Sequence, residues 1–188
     1  MTQYRKLFAK SEIEYITPFL KLWMSFNNWY KQDLENARTD RDAINEYKEQ
    51  GAIKNEFIRL FNLNSDIGIS FQNALFDLVL NLRNYDLRDN RDNQVNYIID
   101  GQNLILENAD RRGGREPIYI SQKRERFQIL EENREIFFEQ TLEITYMVRN
   151  SLVHGNFDIE NQYFINLIES SYKILYPIME RVLQNMEN

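Results

Sequence analysis

Apolar residues recur at spacings of three and four along most of this chain, and few helix breakers interrupt them. That pattern restricts the chain to a bundle of helices. Only six glycines and three prolines occur in 188 residues, so long unbroken segments are expected. Ile13, Ile16, Phe19, Leu20, Trp23, Phe26 and Tyr30 line one helical face. They predict a helix from about Ser11, its N-cap, to about Asp33. Pro18 stands about two turns into that span, so the helix either bends there or starts later. Asp40 to Gln50 reads as a polar helix. Phe57, Leu60, Phe61 and Leu63 give a short amphipathic piece, and Phe71, Leu75, Leu78, Val79 and Leu82 mark a helix from roughly Ser70 to Leu82. Phe127, Leu130, Phe137, Ile144, Met147, Val148 and Leu152 predict a long helix that stops at Gly155. Asp158 reads as the N-cap of a last helix, with Tyr163, Leu167, Tyr172 or Ser171, Leu175, Met179 and Val182 facing inward and a kink at Pro177.

From about Asn84 to Ser121 the helical pattern fails. "NYDLRDNRDNQ" and "NADRRGGREP" are charged and turn-rich, and they enclose two β-prone runs, "VNYIID" and "PIYIS". The expected architecture is therefore all-α: one domain over residues 1–188, an up-and-down helical bundle with an irregular insertion at about 84–121 that can form a small β-hairpin.

Composition narrows the setting. A hydrophobic fraction of 43% with 13% aromatic residues is that of a globular core rather than a disordered chain. The absence of cysteine removes disulfides and thiolate-bound metals. The start "MTQYRKLFAKSEIEY" has no apolar signal-peptide core, and "ALFDLVLNL" is broken by Asp77 and Asn81. The expectation is a cytoplasmic protein with no membrane association, no metal and no cofactor. A net charge of −6 argues against a generic nucleic-acid coat. The charge is uneven, however. Asp110 to Arg126 carries six cations against three anions, hence +3, and leaves −9 for the remainder. This segment reads either as a solvated loop or as a basic strip that contacts RNA through Arg111, Arg112, Arg115, Lys123 and Arg124.

The single histidine stands in "MVRNSLVHGNF", five residues after Arg149 and directly before Gly155. Five residues are about 140° around a helix, so Arg149 and His154 do not share a face. Convergence of their functional atoms needs the length of the arginine, an irregular last turn, a facing helix or a second copy of the chain. A neutral imidazole can take a proton from a ribose 2′-hydroxyl and later return one. A guanidinium can grip phosphate and offset the charge that develops on its oxygens, and the Asn150 amide can orient a phosphate or the imidazole. The competing reading is a histidine that merely complements a helix C-terminus, favourable by under ~1 kcal/mol. Other chemistries fit less well. A carboxylate-bridged metal bundle needs Glu three residues before its histidine, where Ser151 stands, and a phosphotransfer histidine would be exposed in mid-helix. Trp23 reads as core, while Trp29 and Asn27 fall off the apolar stripe and face a partner or the site.

"RNSLVH" resembles the R-x4-6-H signature of the HEPN superfamily of small helical bundles. "FLKLWMSFNNWY" is similar to the aromatic first core helix of many such proteins from prokaryotic defence systems, and "IESSYKILYPIMERVL" resembles the helix that closes the bundle. The likeness covers Ser11 to Tyr30 and Phe127 to Val182; the insertion matches nothing in it. It implies a metal-independent endoribonuclease of anti-phage defence or toxin–antitoxin systems, working as a homodimer whose two motifs face one cleft. Arg149 would polarise the scissile phosphate, Asn150 would support it and His154 would be the acid and base. Apolar faces left over on the motif helix would supply the dimer contact. Some toxins of the family carry a tyrosine two residues after the histidine, which their antitoxin modifies. Asn156 stands there instead, so that mode of control is not expected, although another partner protein could restrain the chain. Silent members of the superfamily supply the alternative, a non-catalytic module for dimerisation or effector binding.

If the basic strip binds RNA, replacing Arg111, Arg112 and Arg115 together by glutamine weakens the complex. It also lowers the slope of log affinity against log salt by about 0.7 for each single-strand phosphate that is no longer neutralised. Titrations at several salt concentrations measure this, and an unchanged slope removes the strip from RNA binding.

Overall fold

The computed structural model describes residues 14–34, 39–49, 51–82, 84–85, 87, 97–100, 103–106, 118–121, 134–155, 158 and 160–186. Six helices lie among them: α1 (Ile16–Asp33), α2 (Asp40–Glu49), α3 (Ala52–Asn62), α4 (Asp66–Leu82), α5 (Arg134–His154) and α6 (Gln162–Met186). The bundle is all-α, as the periodicity predicts. None of these helices is long and apolar enough to cross a membrane.

The helix starts are set by side chains. α1 begins at Ile16, so Pro18 falls in its first turn, where no intrahelical partner for its nitrogen is needed. The later start, not the bend, resolves the proline; Ser11 and Ile13 lie outside the described residues. Glu14 supplies acceptors for the backbone N–H groups of Ile16 and Thr17. α2 opens on a reciprocal cap: Thr39 Oγ1 accepts from Asp42 N at 3.1 Å, and Asp42 Oδ2 accepts from Thr39 N at 3.0 Å. The last helix starts later than Asp158 suggests. Asn161 Oδ1 accepts from Tyr163 N at 3.0 Å and is the cap, while Asp158 Oδ1 closes a turn with Glu160 N at 2.9 Å. Tyr163 in the first turn is outward and Phe164 inward, which reverses the expectation for Tyr163, while Leu167, Ser171, Leu175, Met179 and Val182 are buried as expected. Ser171 is fully buried and Tyr172 only partly so; α6 continues through Pro177.

α5 and α6 organise the bundle. α6 packs on α1, α3, α4 and α5, and α5 packs on α2, α3 and α6. α5 is buried nearly all round, with Phe137, Phe138, Leu142, Ile144, Tyr146, Met147, Val148 and Leu152 pointing in different directions into the core. Thr141 and Thr145 survive burial by donating to the carbonyls of Phe137 and Thr141, at 2.8 and 2.9 Å. Rings dominate the packing. Phe57 of α3 meets Phe71 of α4 and Phe138 of α5, each at 5.2 Å between centroids. Trp29 departs from its expected outward role. It is 5% exposed, stacks on Tyr47 of α2 at 5.0 Å and donates to Met186 Sδ at 3.0 Å. Two neighbouring elements cover that flank of α1, which the stripe of α1 alone does not reveal. α2, polar in sequence, buries Ala43, Ile44 and Tyr47 for the same reason.

Within the insertion β1 (Tyr97–Asp100), β2 (Asn103–Leu106) and β3 (Ile118–Ser121) form an antiparallel sheet in the order β1-β2-β3. The two β-prone runs do not pair with each other. Each pairs with the intervening "NLIL", in the registers Ile99↔Leu104 and Leu104↔Ile120. Periodicity does not predict this intervening strand, because its four residues show no alternation.

Among the described glycines, Gly68 has the tightest surroundings. A Cβ there would lie 1.8 Å from the carbonyl oxygen of Leu63, so the α3–α4 connection can follow its path only with hydrogen at that position. Gly68→Ala is expected to lower stability by about 1–3 kcal/mol. Urea unfolding followed by the fluorescence of buried Trp23 and Trp29 measures it, and an unchanged midpoint refutes the packing account.

Candidate functional site

The motif occupies the end of α5. Gly155 follows with φ +72°, a left-handed residue that ends the helix as the sequence predicts. Arg149 and Asn150 lie just over a turn before it, and the two ends of the motif have different surroundings. Asn150 is buried at 4% exposure, and His154 in the last turn is exposed. The Arg149 side chain is one-fifth exposed, at 20%. Two of its nitrogens are engaged: Nη1 donates to Asn150 Oδ1 at 2.8 Å, and Nη2 lies 3.1 Å from Asp40 Oδ2. Its Cζ sits 5.9 Å from the ring centre of Trp23. The structure thus joins Arg149 to Asn150 but does not join either to His154 through any described hydrogen bond.

Asp40, the first residue of α2, is the hub of this cluster. Tyr30 of α1 donates its hydroxyl to Oδ1, and Asn27 donates Nδ2 to Oδ2 at 3.5 Å. Turning the Asn27 amide over would aim its oxygen at the carboxylate, so the network fixes its orientation. Burial raises the Tyr30 pKa, and the hydrogen bond to Asp40 and the Asp40 charge raise it further. The phenol therefore remains a donor at every physiological pH. Asn27 does face the Arg149 cluster, as its place off the apolar stripe suggests, whereas Trp29 does not.

In the sequence Tyr30 and Asp40 are legible only as a core aromatic and a helix start. Nothing there ties Asp40 to an arginine more than a hundred residues away. The Thr39–Asp42 capping pattern is the one local signal, because it fixes where α2 begins and so where Asp40 stands. Arg111, Arg112, Arg115, Lys123, Arg124 and Arg126 lie outside the described residues, as do Asn156 and Phe157. The apolar faces expected to be free on the motif helix are largely covered by its own chain; among the described side chains of α5, Val153, 52% exposed, is the large apolar one left outside.

A second charged cluster lies along α5. Glu143 is paired with both Arg41, at 2.7 Å, and Lys48, at 2.5 Å, on α2. Arg41 also lies 4.4 Å over the Tyr146 ring. Burial by itself would raise the Glu143 pKa, but the charges and hydrogen bonds of Lys48 and Arg41 outweigh it and hold the pKa below the ordinary carboxylate value. The stability this pairing supplies is present above the unfolded-state pKa of about 4.3 and is lost as pH falls through the lower folded value. Glu143→Gln is expected to cost about 1–3 kcal/mol at pH 7 and to flatten the decline of stability below about pH 4.3. Thermal unfolding from pH 7 down to pH 3 measures both, and parallel pH curves for the two proteins refute the pairing.

No family model, no curated protein and no solved structure matches this chain.

Proposed function

We propose that the chain is a HEPN-like, metal-independent endoribonuclease of anti-phage defence or toxin–antitoxin systems, working as a homodimer in the cytoplasm. One observation carries the reading. In an all-helical bundle Arg149 is fixed by Asp40 and Asn150 while His154, in the last turn of the same helix, is free to meet solvent. The tethered guanidinium suits the phosphate and the accessible imidazole suits proton transfer. In the proposed reaction His154 takes the proton of a ribose 2′-hydroxyl as its oxygen attacks the adjacent phosphorus. The bond to the 5′-oxygen breaks, that oxygen leaves with a proton, and a 2′,3′-cyclic phosphate remains. Arg149 offsets the charge on the non-bridging oxygens, and Asn150 keeps the guanidinium in place.

One chain carries one imidazole, and Arg149 and His154 diverge by about 140° around α5. A second copy supplies the other acid–base group and brings a guanidinium opposite the first histidine. Exposed Val153, beside His154, is the apolar contact available at that end. The rival reading, a non-catalytic dimerisation or effector-binding module, also has an observation in its favour. Asp40–Arg149 joins α2 to α5 just as Arg41–Glu143 does, and such a tie needs no chemistry.

His154→Ala separates the two. Cleavage of single-stranded RNA by the purified protein should fall by about 10²–10⁴-fold in the variant, with unfolding midpoint unchanged and with wild-type activity indifferent to chelator. Equal cleavage by variant and wild type, or activity abolished by chelator, ends the nuclease reading.

A further inference from the structure

We propose that Asp40, held by Tyr30, is a positioning residue for Arg149; the role rests on the endoribonuclease reading. An arginine has more rotatable bonds than any fixed task allows, and a phosphate grip is productive only if the guanidinium plane is set beforehand. Here the plane has two tethers, Asn150 on Nη1 and Asp40 on Nη2, with the Trp23 ring beside it. Asn150 is the neighbour of Arg149 in sequence and moves with it. Asp40 belongs to another helix and supplies the external reference.

Asp40 is in turn over-determined. It sits at the first position of α2, where the helix dipole favours an anion. It receives the hydroxyl of Tyr30, which is 1% exposed, and the amide of Asn27. The polarity of this pair also differs from that of two other ion pairs of α5. Glu135 and Glu143 place the anion on α5 and the cation on a neighbour, Lys54 or Arg41 and Lys48. At Arg149 the arrangement is reversed, so that a cation stays on α5 next to the partly exposed end.

A fixed anion beside the guanidinium has two opposed effects on a phosphate ligand. It repels the phosphate and it pre-orders the group that binds it. These offset in the affinity, whereas turnover loses more from a disordered guanidinium than it gains from the relieved repulsion. Asp40→Asn, nearly isosteric, and Tyr30→Phe in the full chain test this against a single-stranded RNA and against its 2′-O-methyl counterpart, which has no free 2′-hydroxyl to attack. Asp40→Asn should lower kcat by about 10²-fold and leave affinity for the 2′-O-methyl strand within about threefold, or tighten it. Tyr30→Phe should act in the same direction by a smaller factor. The guanidinium NMR signals of Arg149, restrained in the wild type, should average in Asp40→Asn. A kcat within threefold of wild type, or affinity that falls in proportion to kcat, overturns the assignment. If the wild type shows no His154-dependent cleavage the nuclease reading falls separately. The NMR signals then decide whether Asp40 orders Arg149: averaging in Asp40→Asn sustains the ordering role, and unchanged signals overturn it.

Discussion

The burial of α5 on nearly every side is the constraint from which the remaining features follow. A helix so enclosed cannot send charged side chains into solvent along most of its length, and an unpaired ion in the interior costs several kcal/mol. The enclosed Glu143 and Arg149 accordingly have their counterparts on a neighbouring helix. α2 answers for both Glu143 and Arg149, whereas Glu135, paired with Lys54 of α3, is itself exposed. The packing of α2 on α5 thus joins an electrostatic match to a ring contact, with Arg41 over Tyr146.

The same burial explains why the two ends of the motif differ. Arg149 and Asn150 lie where α5 is still enclosed, so they are tied to Asp40 and to each other. His154 lies where the helix runs out, in the turn before a left-handed glycine, and is exposed. Rigidity and accessibility are thereby separated along a short stretch of one helix. In the proposed reaction that separation would serve Arg149 as the charge-stabilising group and His154 as the proton-transferring one.

Much of the fold is legible in the spacing of apolar residues. The α1 stripe of Phe19, Trp23, Phe26 and Tyr30 is buried as its three-and-four pattern requires, and Gly155 ends α5. Spacing misleads where a residue's surroundings are supplied by another element. Trp29 lies off the stripe yet is buried by Tyr47 and Met186. Tyr163 continues the spacing of Leu167 and Ser171 yet is exposed, in the first turn after the Asn161 cap. The strand Asn103–Leu106 has too short a pattern to announce itself and exists through its pairing on both edges.

The sequence by itself determined the helical class, the end of α5 at Gly155 and the clustering of Arg149, Asn150 and His154 near that end. Periodicity and backbone stereochemistry are local properties, and they act within a few residues. Only the tertiary structure decided that Asp40 and Tyr30 stand beside Arg149, that the faces of α5 are covered by its own chain, and that the guanidinium is confined while the imidazole is open. Those outcomes depend on which helices meet, and that is set by the joint packing of side chains far apart in the chain.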